Sequence, residues 1–183
     1  MITRDEALVL VKKHLKNKNL RKHVLAVEAL MRKLAVRLDG NPDVWGLAGL
    51  LHDLDYELTL DKPAEHTQLT IQWLKEHGGV SEEILNTIRA HVGTTPRTTT
   101  MEQAIYCSDP TSGFLVACAL MHPEKRLAAV DLDFIKNRFK EKRFAAGADR
   151  EQMKSCAELG LELDEFLLLA REAMVEISDE LGL

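Results

Sequence analysis

Apolar residues return every three or four positions along nearly the whole of this chain, and nowhere do they alternate for long enough to build a strand. That periodicity restricts the fold to an all-α one. A first helix covers roughly 4–16 and is broken by "NKNL", and a second, "LRKHVLAVEALMRKLAVRL", ends at Asp39-Gly40, where glycine is the expected terminator. Asn41 caps a third helix with Pro42 in its first turn, running to about Leu54. Residues 55–64 read as a loop, and "AEHTQLTIQWLKEH" as a fourth helix stopped by Gly78-Gly79. Ser81 caps a fifth, "SEEILNTIRAHV", whose first-turn acids suit the positive helix end. After the loop "GTTPRTTT" comes the longest apolar helix, about Met101 to Met121, with Pro110 predicting a kink. Shorter helices follow near 131–140, 149–159 and 163–180.

A chain of 183 residues supports one domain with a substantial core, so the expectation is a single unit over 1–183. Its helical core would span about 18–122, with the helices of 123–183 packed on it. No apolar run approaches the ~20 residues of a membrane span, and the first residues are too charged for a signal peptide, which predicts a cytoplasmic protein with no membrane partner. The three cysteines, Cys107, Cys118 and Cys156, are distant from one another and form no C-x-x-C, so they read as reduced core thiols. Bases dominate residues 1–38 and acids 151–183. Either the basic end binds a polyanion, or the two ends lie together or are solvated faces. A net charge of −5, few aromatic residues and no recognition motif argue against nucleic acid.

Against this apolar background a few polar residues fall on the wrong faces. His23 lies among Leu20, Val24, Val27 and Leu30, and His91 follows Ile84 and Ile88 at helical spacing. His66 precedes Leu69 and Trp73 by three and seven residues, so one helical face would carry all three. "GLAGLLHDLDYE" delivers His52 and Asp53 side by side at the end of an apolar helix, and Asp109 lies four residues after Ile105 in nearly uncharged sequence. A lone inward histidine is ordinarily a hydrogen-bonded core residue, and a buried carboxylate is costly unless it is paired or bound to a cation. Imidazoles with carboxylates and no thiol are the donors of a first-row metal ion. His14, His77 and His122 lie near helix ends and polar faces, where no ligand role is needed.

The order H-x28-HD-x12-H-x24-H-x17-D, in the contexts "LRKHVLAVEALMRKLA", "LAGLLHDLDYE", "IRAHVG" and "YCSDPTSG", closely resembles the HD superfamily of metal-dependent phosphohydrolases over residues 20–120. The resemblance implies that His23, His52, Asp53 and Asp109 hold a first metal. His66 and His91 match the extra histidines of dinuclear members, with Asp53 bridging two ions. Asp53, His66 and His91 then form the catalytic set, and the cofactors are two divalent ions, iron or manganese ahead of magnesium, zinc, nickel or cobalt. Such a pair activates water and neutralises a phosphoryl oxygen, so a small phosphorylated substrate is expected. The segment is also similar to the HDIG subgroup and to diadenosine tetraphosphate hydrolases, although Leu54 and Asp55 replace the isoleucine and glycine of that motif.

Asp55 and Glu57 read either as groups that orient a ligand or as loop acids in solvent. Cations for substrate phosphates would come from Arg97 in the threonine-rich loop and from "KNRFKEKRF", with Lys140 and Arg143 as candidates. Rival readings are a di-iron oxygenase of the same fold, distinguished by a need for O₂, and a non-catalytic metal-binding sensor or interaction module, which the six filled positions disfavour. Apolar helical stripes also leave room for a homodimer.

Overall fold

The computed structural model describes all 183 residues as eleven α-helices and three short 3-10 turns, with no strand. Helix α1 (Arg4–His14) starts at a Thr3–Glu6 capping box, and α2 (Lys18–Arg37) starts at Asn17, whose side chain accepts the Asn19 amide. Helix α3 (Pro42–Leu51) begins where Asn41 accepts two amides, and proline fills the first turn. Next come α4 (Tyr56–Thr59), α5 (Gln68–His77) and α6 (Glu82–Ala90), the last capped by Ser81. Helix α7 (Thr100–Met121) opens on a second capping box, Thr99 with Glu102. Helices α8 (Leu132–Lys140), α9 (Arg150–Lys154), α10 (Leu163–Glu176) and α11 (Ser178–Leu181) complete the chain.

One buried apolar cluster runs from Ile2 to Leu181, so the C-terminal helices share the core of the earlier ones. At its centre α2 packs along α3, and α7 lies against both α2 and α6. The α2–α3 approach is so close that a methyl group on Gly49 would sit 2.9 Å from the Val27 carbonyl and the Glu28 amide nitrogen. Backbone cannot yield as a flexible side chain would. Gly49→Ala should therefore cost about 2–3 kcal/mol of stability by urea unfolding. A variant as stable as the parent would show that the two helices can part freely.

The basic end and the acidic end meet. Lys33 of α2 pairs with Glu176 at 2.7 Å and Arg37 with Glu165 at 2.9 Å, so α10 covers part of the basic helix. Exposed pairs of this kind contribute little stability, but they neutralise a surface that the sequence alone left open for a polyanion.

Helix α7 has the length and apolar character of a membrane-crossing helix, yet 56% of its most apolar stretch is buried inside the protein, as in a core helix. Pro110 removes one amide from it, leaving the Tyr106 carbonyl without its helical donor. Gln152 of α9 supplies the replacement, donating from Nε2 to the Tyr106 oxygen at 2.8 Å.

The sequence places the 149–159 and 163–180 helices as single pieces where the structure divides each in two, and the differences that matter for the site lie between residues 51 and 68. Helix α3 stops at Leu51 instead of Leu54, the loop at 55–64 contains α4 and a 3-10 turn, and α5 begins at Gln68 instead of Ala64. His66 is therefore not on a helix, and it shares no helical face with Leu69 and Trp73. The cause lies eleven residues upstream: the Asp55 carboxylate accepts the amides of Thr67 (3.2 Å) and Thr70 (3.1 Å), fixing the start of α5 from a distance. Thr67 itself adopts a left-handed φ of 75° and makes no side-chain cap.

Candidate metal centre

Six polar side chains from five parts of the chain converge at one end of this core. His23 comes from the second turn of α2, His52 and Asp53 from the turn that ends α3, His66 from the loop before α5, His91 from the residue after α6, and Asp109 from the middle of α7. His52 is fully buried, Asp53, His66 and His91 nearly so, and His23 and Asp109 are the most open, at 20% and 27% exposed.

Their distances divide them into two halves that share Asp53. Toward one side, Asp53 Oδ2 lies 3.5 Å from His23 Nε2 and 3.4 Å from His52 Nε2, and Asp109 Oδ1 is 3.1 Å from His23 Nε2 and 3.8 Å from His52 Nε2. Toward the other, Asp53 Oδ1 lies 3.1 Å from His66 Nε2 and 3.4 Å from His91 Nε2, and those two nitrogens are 3.1 Å apart. A wider circle of 4.8 Å also joins His52 and Asp53 to His91, because the halves adjoin, but the shorter contacts keep them distinct.

The second nitrogen of each imidazole is committed elsewhere. His52 Nδ1 lies 2.8 Å from the Gly49 carbonyl, and His91 Nδ1 lies 2.6 Å from that of Ile88. Since carbonyls only accept, both Nδ1 atoms carry hydrogen, so in the neutral rings it is Nε2 that offers a lone pair to the cluster. His23 Nδ1 meets the Ser112 hydroxyl at 2.9 Å, while His66 Nδ1 donates to Asp55 Oδ1 at 2.8 Å. Neighbours that fix the tautomer in this way are what metal-binding histidines require.

The donors fit a metal ion. With bonds of about 2.1 Å, neighbouring donors around one ion stand roughly 3.0–3.4 Å apart, and most of the closest contacts fall in or near that range. Two lone pairs 3.1 Å apart, as at His66 and His91, repel unless a cation or a proton lies between them. Cys107 is buried, but its thiol donates to the Ala104 carbonyl and takes no part.

The carboxylates hold positive charge here in any state. Burial alone would lower the affinity of the His23 imidazole for its proton, but Asp109 and Asp53 outweigh it and bring the pKa up to about 10. His66 is likewise disfavoured by burial and then raised to about 9 by Asp53 and Asp55. Burial raises Asp53, yet the His52 charge and the bonds from His23, His66 and His91 take it well below the usual carboxylate range. Asp109 is held low against its burial by His23 and His52, and Asp55 against its own by His66 and the Thr70 and Thr67 amides.

A cavity of about 870 Å³ opens over the cluster. Asp53, His23, His66, His91 and Asp109 line it together with Tyr56, Leu60 and Ala64 from the segment after α3 and Ala145, Gly147, Ala148 and Gln152 from the C-terminal third. The remaining candidates lie elsewhere. Arg97 is paired with Glu158 at 3.1 Å and stacked on Tyr106 at 3.9 Å, outside the cavity wall. Lys140 and Arg143 are exposed near the end of α8 and in the turn beyond it, and neither lines the cavity. Glu57 accepts the amides of Lys16 and Asn17 and so ties down the α1–α2 link, away from the ligands. Sequence reasoning passed over Ser112 and Gln152. Ser112 could have been found from its place one turn beyond Ser108 on the inner face of α7, whereas nothing in the sequence joins Gln152 to Tyr106.

The HD domain model matches residues 20–159. A curated relative, Ribonuclease Y 2 of Levilactobacillus brevis, is 28% identical over 91 residues, which make up 50% of this chain and 17% of that protein. The chain therefore matches only about a sixth of that relative's length. No solved structure matches.

Proposed function

The chain belongs to the HD-domain family, a superfamily of metal-dependent phosphohydrolases, and on that premise we propose that it hydrolyses a phosphate ester or anhydride of a small metabolite at a two-metal site. The carrying observation is the position of Asp53. It turns one carboxylate oxygen toward His23 and His52, with Asp109 beside them, and the other toward His66 and His91. Six donors in two sets joined by one carboxylate are more than a single ion needs. Imidazole and carboxylate donors without thiolate suit iron or manganese, with zinc, nickel, cobalt and magnesium as further candidates.

Bound divalent ions supply an activated water and neutralise charge developing on a phosphoryl oxygen. The protein contributes orientation. Gly49 and Ile88 hold the His52 and His91 rings by their Nδ1 hydrogens, and Asp55 does the same for His66 while anchoring the start of α5. His23 and Asp109, the most open of the six, face the cavity from which substrate would arrive.

Metal content tests the reading. Protein prepared without chelator or a nickel column should carry about two ions per chain by mass spectrometry, and the His66→Ala/His91→Ala variant about one. One ion in both proteins would remove the second site and recast those histidines as substrate contacts.

A further inference from the structure

No lysine or arginine lines the cavity over the cluster. Of the cations near it in sequence, Arg97 is neutralised by Glu158, Lys62 turns to Glu65 at 3.4 Å, and Arg150 is used in construction: its guanidinium donates to the carbonyls of Phe144, Ala145 and Ala148 and stacks on Phe114 at 4.4 Å. Within the cavity itself, the positive charge that meets a ligand is that of the metal cluster. Around the cluster the walls are mostly apolar or small, including Leu20, Tyr56, Leu60, Val92 and Ala148, with Thr59, Thr94 and Gln152 as neutral polar groups. Tyr56 and Leu60 remain 37% and 61% exposed at the cavity edge, and the Tyr56 ring stands edge-on to His66 at 5.6 Å.

We propose that the substrate is a phosphomonoester bearing one phosphate on an uncharged, largely apolar group, which lies against Tyr56, Leu60, Val92 and Ala148. This rests on the two-metal hydrolase reading. Two divalent ions set against Asp53 and Asp109 leave about two positive charges, and a single phosphoryl group, near −2 at neutral pH, cancels them. Each further phosphate of a nucleotide or dinucleotide polyphosphate would bring charge into a chamber with no cation to meet it, and would displace the apolar contact its walls offer. The volume of about 870 Å³ accommodates an organic group of twenty or so non-hydrogen atoms beside the phosphate.

The test is competitive binding to the manganese-loaded protein, at fixed free metal, of three probes whose terminal phosphorus is bonded to carbon: 1-naphthylmethylphosphonate, methylphosphonate and β,γ-methylene-ATP. The naphthyl compound should bind about tenfold more tightly than either of the others. Tyr56→Ser/Leu60→Ser should reduce its advantage over methylphosphonate to below about threefold, while methylphosphonate affinity stays level. Equal or tighter binding of the ATP analogue, no advantage of naphthyl over methyl, or no binding by any probe would overturn the proposal. Hydrolysis of 1-naphthyl phosphate is followed separately. Its absence, with the binding preference intact, would end the hydrolase reading and leave the ligand class standing.

Discussion

Asp53→Ala should lower the proposed metal-dependent phosphohydrolysis by about a thousandfold or more, with the far-UV signature of the helices unchanged. The size of the effect follows from what the carboxylate touches: it is the one anionic group within 3.5 Å of His23, His52, His66 and His91 alike. Its removal leaves the His66–His91 side with no carboxylate facing the imidazole Nε2 atoms, and the other with Asp109 only. Metal content should fall in parallel, to less than one ion per chain. The helices survive because Asp53 sits in the turn after α3 and makes no cap, while the core around it is apolar and complete. Asp53→Asn, which keeps the shape and removes the charge, should lose nearly as much activity. Normal turnover by either variant would refute the assignment of the site.

Removing the metal should make stability strongly dependent on pH. In the metal-free chain His23 and His66 hold protons up to about pH 10 and 9, far above the ~6.5 of an unfolded histidine. A group whose pKa is raised by folding contributes its full stability below the unfolded value and loses it as pH climbs toward the folded one. The chelated protein should therefore weaken steadily between pH 6.5 and 10. The loss is roughly 3 kcal/mol, less than two independent sites would give because both imidazoles lean on Asp53, and corresponds to a fall in Tm of about 10 °C. In the loaded protein cations occupy the place of those protons and the same window should be flat. Thermal melts with and without chelator across this range measure the difference. His23→Gln/His66→Gln separates it from the titration of lysines and thiols, since the double variant should lose the slope. A chelated parent as insensitive to pH as that variant would show that the carboxylates do not hold these protons.

The helices and most of their starts were legible from sequence because the caps are local. Asn41 and Ser81 each satisfy amides within three residues, and Gly40 sits where α2 has to end, whereas the Asn17 cap, inside what reads as a break, went unseen. The polar cluster was legible because five of its positions sit at helix ends or on apolar helical faces where a polar residue is out of place. The start of α5 was not, since the group that fixes it, Asp55, is twelve residues from the nearest amide it accepts; sequence offers it as a group that orients a ligand, as it does for His66, or as a loop acid, and not as a distant helix cap. His66 was thus picked out for a helical face it does not have. The basic residues were overrated for a similar reason. A sequence shows the charge of Arg97 but not the Glu158 that faces it sixty-one residues on.

The ligands all lie between residues 23 and 109, whereas part of the cavity wall is built from residues 145–148, held in place by Arg150. Tyr56, Leu60 and Val92 share the stretch of the candidate ligands, but one part of what the cavity admits is written in a separate stretch of the chain. A lineage of such proteins could exchange one clientele for another through substitutions at Ala145, Gly147 and Ala148, without once passing through an ancestor that had lost its chemistry.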